Sequence, residues 1–235
     1  MPQVLGYSTG ALARSDFRRA LTLLQDQPVK AVELSAIRSR ELIPLLRALD
    51  TLDLSKFEYI SIHAPSEFSF EDESWIFEEL NATRGRGWPV VVHPDTLLTH
   101  SLWGGLGDLL CIENMDQRKK TGRTVRELKR LFEMFPRASF CFDIGHARQV
   151  DTSMVEAFKM LREFGPRLRQ VHVSEVNTRN KHDPLSFVSI LDFQEVAALI
   201  PSCTPIIIES IVSEGHIGTE IGRVQRALTA DIVVK

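Results

Sequence analysis

The stretch SFCFDIGHA, Ser139 to Ala147, decides how this chain is read. Apolar Phe140, Cys141 and Phe142 run directly into Asp143, and His146 follows three positions later. A short unbroken apolar run bounded by polar residues reads as a strand buried on both faces, as strands of a parallel sheet are. Burying an unpaired carboxylate is costly, so the end of this strand must meet something that balances Asp143.

The same pattern recurs along the chain. Strand-like runs lie at 4–8 (VLGYS), 31–36 (AVELSA), 58–64 (EYISIHA), 89–93 (PVVVH), 109–114 (LLCIEN), 139–145, 169–175 (RQVHVSE) and 205–210 (PIIIES). Helical periodicity fills the gaps, at 15–25, 39–50, 73–83, 124–135, 153–165, 192–201 and 219–228. Thr124 and Glu127 have the spacing of a capping box at one helix start. Eight strands alternating with helices predict a parallel sheet, and eight such units in 235 residues match a (β/α)8 barrel. A doubly wound open sheet usually carries GxGxxG after its first strand, and GYSTGALARSD at 6–16 has no such motif. No linker or low-complexity segment interrupts the pattern, so residues 1–235 are expected to form one α/β domain.

Composition narrows the partners. The chain is 43% hydrophobic with a formal charge of −3, which offers no global attraction to nucleic acid or anionic membranes. QRKKTGR, Gln117 to Arg123, is the one basic strip, and a solvated loop is its simpler explanation. Nucleic acid is therefore disfavoured as a partner, with this strip left as its one possible contact. No run approaches a membrane span, and the first residues lack the layout of a signal peptide. Three cysteines without paired spacing argue against a disulfide framework and for a reducing, cytoplasmic setting.

Polar residues stand at or near the ends of seven strand runs: Glu33, His63, His93, Glu113, Asp143, His172 and Glu209. Their intervals of 30, 30, 20, 30, 29 and 37 residues are each close to one β/α unit. In a barrel those ends converge on one mouth, where active sites sit. Residues two positions earlier point the same way; Ala31, Ser61, Val91, Cys111, Cys141, Gln170 and Ile207 are mostly small or apolar, as a barrel interior should be. Cys111 and Cys141 are accordingly read as core. Gathering carboxylates and imidazoles in one cavity is costly without cations, so a divalent metal site is expected. Mixed His and carboxylate ligands suit Zn²⁺ or Mn²⁺ first, then Fe²⁺ or Co²⁺, ahead of Ca²⁺.

The ordered motifs SIHAP, VVHPD, CIENM, FDIGH, VHVSE, NKHD and IIIES resemble the xylose isomerase-like TIM barrel superfamily, which includes sugar isomerases, epimerases and endonuclease IV. The resemblance covers strands three to eight. By position it implies a four-ligand metal site of Glu113, Asp143, His172 and Glu209. It implies an additional site from His63 and His93 with Glu113 bridging, and it matches His146 and His182 to two ligands of endonuclease IV's third metal. One position departs: endonuclease IV has an aspartate two residues before the last of these histidines, where this chain has Asn180, and an amide is a poorer zinc ligand.

Other residues keep open readings. Glu33 is either a substrate contact or a buried partner of the site. Arg148 is a candidate for a substrate phosphate or carboxylate, with a solvated arginine as the plainer reading. Glu175 and Asp183 are candidates to orient His172 or His182, His216 is placed near the mouth, and His100 reads as surface.

Two activities compete. A metal-dependent isomerase or epimerase of sugars or sugar phosphates would move a proton through an enediolate, with Glu113 and Glu209 as catalytic carboxylates and His146 steadying substrate oxygens. A multi-metal phosphoester hydrolase of endonuclease IV type would use His63 and His93 to hold a further ion. A barrel that binds metal without catalysis is the third option. The acidic balance and Asn180 favour the first, with a small sugar-like substrate; the sequence leaves the oligomeric state undetermined.

Overall fold

Each strand-like run becomes a strand of one closed barrel. In the computed structural model, which describes residues 3–229, the strands are β1 (Leu5–Ser8), β2 (Ala31–Ser35), β3 (Tyr59–His63), β4 (Val90–Val92), β5 (Leu110–Glu113), β6 (Ser139–Asp143) and β7 (Leu168–Val173). A two-stranded hairpin, β8 (Glu175–Val176) with β9 (His182–Asp183), lies in the loop after β7, and β10 (Ile206–Ile208) completes the barrel. The order around the barrel is β1-β10-β7-β6-β5-β4-β3-β2, parallel throughout, so the chain is a (β/α)8 TIM barrel.

The apolar runs are buried on both faces because the barrel interior is filled and helices cover the outside. Phe140 and Phe142 of β6 point outward to the helix layer, where Phe140 meets Phe132 and Phe164. Each such fully buried side chain is worth about 1.5–3 kcal/mol relative to exposure. Inside the barrel, Val91, Cys111 and Cys141 form a small apolar cluster, as expected of core cysteines.

Each predicted helical interval holds a helix with shifted ends, and three short helices, Thr9–Ala13, His100–Trp103 and Ile144–Val150, lie outside those intervals. The helix Phe187–Ala197 starts five residues before 192, because the Ser186 hydroxyl accepts from the Ser189 amide and caps it there. At the start of Val125–Met134 half of the predicted capping box forms. Thr124 accepts from the Glu127 amide, whereas the Glu127 carboxylate accepts from the Arg123 amide instead of that of Thr124. The helix Phe70–Ala82 is pinned through buried Glu73, which accepts from the Leu98 and Thr99 amides, the Thr99 hydroxyl and the Trp103 indole at 2.6–2.8 Å. Among the described residues no helix is long and apolar enough to cross a membrane.

Candidate metal centre

The parallel register carries the polar strand ends to one mouth. His63 ends β3, Glu113 ends β5, Asp143 ends β6, and His172 lies one residue before the end of β7. His93 follows β4 directly and Glu209 follows β10. A cavity of about 570 Å³ opens over them, lined by His63, His93, Glu113, His146, His182 and Glu209, while Asp143 and His172 lie buried beneath.

Among the described residues, three groups of donor atoms within 4.8 Å of one another could each hold an ion: His63, His93 and Glu113; Glu113, Asp143, His172 and Glu209; and Asp143, His146 and His182. Glu113 belongs to the first two and Asp143 to the last two.

Local structure explains the aim of each ligand. Asp143 caps the short helix Ile144–Val150 by accepting from the His146 amide at 2.6 Å, which leaves only Oδ2 for the cluster. The sequence did not single out Asn114, which locks the same strand end: its Nδ2 donates to the Asp143 carbonyl and its Oδ1 accepts from the Asp143 amide, both at 2.8 Å. Gly145 is required at this corner, since a Cβ there would stand 2.3 Å from the Ser174 carbonyl oxygen. The imidazoles are also oriented from behind. His63 Nδ1 donates to the Ala64 carbonyl at 2.7 Å, so Nε2 faces Glu113. His172 Nε2 lies 3.0 Å from Glu33, so Nδ1 faces Glu113 and Glu209. An imidazole fixed in this way presents its bare nitrogen to a metal.

The spacing of these atoms fits an ion better than hydrogen bonds. His63 Nε2 and His93 Nε2 stand 3.3 and 3.4 Å from Glu113 Oε2. His172 Nδ1 stands 3.3 Å from Glu113 Oε1 and 3.5 Å from Glu209 Oε2. A charge-assisted hydrogen bond closes to about 2.7–2.9 Å. Two donors each ~2.1 Å from one tetrahedral ion stand about 3.4 Å apart. Asp143 Oδ2, buried in the cluster, has no hydrogen-bond partner, as a carboxylate oxygen reserved for a cation would not.

Electrostatics point the same way. Burial lifts the Glu209 carboxyl to about 7 against the pull of His172, with Glu113, Glu33 and Asp143 adding to the rise. Burial likewise lifts Asp143 to about 6, opposed by His146 and reinforced by Glu113. Burial works against charging His63, yet Glu113, Glu33 and Glu209 carry it up to about 9. His182 is pushed down to about 3 by burial and by neighbouring His146. Protons alone balance these charges unevenly, and divalent ions between the carboxylates and imidazoles would do so directly.

Several expectations are corrected by this geometry. Glu33 sits in the middle of β2 below the cavity, where Oε2 accepts from Ser61 Oγ, Gln170 Nε2 and His172. It is a buried partner of the site, and Ser35, the true end of β2, lines the cavity in its place. Arg148 does not reach the mouth, because Asp192 at 2.5 Å and Glu175 at 3.7 Å hold it. Glu175 accepts from Ser186 and Ser189, and Asp183 accepts from Asn177, so neither orients a site histidine. That part is played at His182 by Ser174, whose hydroxyl is 2.9 Å from Nδ1. His216 is exposed and pairs with Ser213 instead of lining the cavity, and His100 is exposed as expected.

The basic strip is only partly a solvated loop. Lys119 is nearly buried beside Asp95, Arg118 pairs with buried Asp116, and both cations line the cavity. Ser8 at the end of β1 also lines it, 2.8 Å from Ser35. Serines carry no pattern that separates them from other strand-end residues in sequence.

No protein-family model matches the sequence, and no curated protein matches it. Solved structures do. Endonuclease IV from Thermus thermophilus superposes with a TM-score of 0.66 at 18% identity, covering 95% of this chain and 98% of that one. SacUVDE superposes with a TM-score of 0.57 at 13% identity, covering 96% of each chain. At such identities the likeness is one of fold, the closed eight-stranded parallel barrel.

Proposed function

We propose that this protein is a metal-dependent phosphoester hydrolase whose centre holds more than one ion, acting on a phosphodiester such as that of a nucleic-acid strand. The observation that carries this reading is the sharing of Glu113. Its two oxygens face different imidazoles, His63 and His93 on one side and His172 on the other, all at 3.3–3.4 Å. A carboxylate divided in this way bridges two adjacent ions. It has no oxygen left to shuttle a proton between carbons, which weighs against the isomerase role otherwise expected of it.

The first ion would be held by His63, His93 and Glu113, and the second by Glu113, Asp143, His172 and Glu209. Ions of this kind lower the pKa of a bound water and neutralise phosphate oxygens during in-line displacement. Water's oxygen forms the new bond to phosphorus, the bond to the ester oxygen breaks, and the leaving alkoxide takes up a proton. The protein's own groups frame that step. Asn114 and the helix cap fix Asp143, while Glu33 fixes His172. Lys119 and Arg118 at the mouth supply positive charge for a substrate's flanking phosphates, and about 570 Å³ accommodates a nucleotide-sized unit. The likeness in fold to endonuclease IV and SacUVDE supports the same reading.

Glu209, with its carboxyl lifted to about 7, supports the isomerase or epimerase as second reading, since a group poised there can exchange a proton near neutral pH. One experiment separates them. Protein reconstituted with Zn²⁺ or Mn²⁺ is incubated with a duplex bearing one abasic site and with bis(p-nitrophenyl) phosphate. In parallel it is incubated in D₂O with a panel of sugars and sugar phosphates. Metal-dependent cleavage without deuterium uptake is expected. Deuterium uptake without cleavage would overturn the hydrolase in favour of the isomerase.

A further inference from the structure

The third donor group differs from the other two in how its atoms are already engaged. Asp143 Oδ1 is taken by the His146 amide at 2.6 Å, so a single oxygen, Oδ2, must serve both groups to which Asp143 belongs. Glu113, by contrast, offers a separate oxygen to each of its two groups. The nitrogen of His146 that approaches Asp143, at 3.4 Å, is Nδ1, and it is already committed to the Asn114 carbonyl at 2.9 Å. His182 Nδ1 is likewise held by Ser174, so both rings offer Nε2 as His63 does, and the shortage in this group lies in its carboxylate.

Among the described residues no further carboxylate completes the group. Asn180 stands two residues before His182 on the same hairpin loop, and its Oδ1 accepts from Gln149 Nε2 at 2.8 Å. Asp116 is spent on Arg118, with contacts of 2.6 and 3.0 Å to Oδ2. Charge sets the same limit. Glu113, Asp143 and Glu209 face the donor groups and Glu33 stands behind His172, so two divalent ions match the four carboxylates. A third ion would leave uncompensated positive charge in a largely buried site.

We infer that the centre retains two ions and that the Asp143–His146–His182 group is a weak, exchangeable site. This rests on the multi-ion reading above. The open nitrogens of His146 and His182 therefore take a third ion only at high free metal. Asn180 supplies no carboxylate to this group, its Oδ1 being held by Gln149. It occupies a left-handed conformation, φ 57°, that aspartate also tolerates, so Asn180→Asp adds a carboxylate without straining the backbone.

The test is metal content, independent of turnover. Protein purified without chelators is loaded with Zn²⁺, dialysed against metal-free buffer and analysed by plasma mass spectrometry, and apo protein is titrated with Zn²⁺ against a chromophoric chelator. The expected result is two retained ions per chain and a separate weak binding step. Asn180→Asp should tighten that weak step by about tenfold or more. Three ions retained by the unaltered protein, or an Asn180→Asp variant whose weak step does not move, would overturn the inference while leaving the multi-ion reading intact. Retention of one ion or none would overturn the multi-ion reading itself.

Discussion

His172 and Glu33 meet 3.0 Å apart, both wholly buried, with the other imidazole nitrogen turned toward Glu113 and Glu209. Burial opposes the charge on Glu33, but His172 pulls its carboxyl below the usual range, so the pair behaves as an anion holding an N–H. That contact fixes which nitrogen His172 offers. Glu33→Gln should lower affinity for the central ion by about 10–100-fold while leaving the fold intact. A chelator competition at fixed pH measures it, and unchanged affinity would show that Glu33 is merely filler.

Glu113 is the shared ligand, whereas His63 and His93 serve one ion only. Alanine at both histidines should remove about half of the retained metal and leave the ion held by Glu113, Asp143, His172 and Glu209. Glu113→Gln should release most of the metal. Equal losses in the two variants, read by elemental analysis, would mean that Glu113 does not bridge.

Arg148 tests the opposite expectation. Its guanidinium is held by Asp192 and Glu175 away from the cavity, so Arg148→Ala should cost about 1–2 kcal/mol of stability and leave metal content and substrate KM unchanged. A raised KM without loss of stability would return Arg148 to the substrate.

Glu73 links pH to stability. Burial opposes its ionisation, yet the hydrogen bonds from Thr99, Trp103 and Leu98 hold its carboxyl below the usual range. A depressed folded-state value makes this contribution full above the unfolded value of about 4.3 and lost as pH falls through the folded one. Glu73→Gln should therefore destabilise the protein by about 1–3 kcal/mol at neutral pH, with the gap closing in acid. Denaturant melts at pH 7 and near pH 3 compare the two, and a gap that stays constant with pH would exclude ionised Glu73 as its source.

What the sequence determined was the period. A buried parallel strand shows as an unbroken apolar run, and a barrel shows as such runs recurring with polar ends in phase, so the fold and the convergence of His63, His93, Glu113, Asp143, His172 and Glu209 were legible before any coordinates. Depth and direction were not. Glu33 shares the phase of the true strand ends but lies two residues below Ser35, and spacing alone cannot tell a mouth residue from one beneath it. Arg148 follows His146 in sequence yet turns outward, because successive residues of a helix point about 100° apart and Asp192 waits on the outer side. Which nitrogen of His172 faces an ion, which oxygen of Asp143 is spent on a helix cap, and whether Asn180 reaches the site are set by partners 29 to 139 residues away or by a local turn. Only the tertiary structure decides them, since a one-dimensional pattern records which face a side chain occupies and not what stands opposite it.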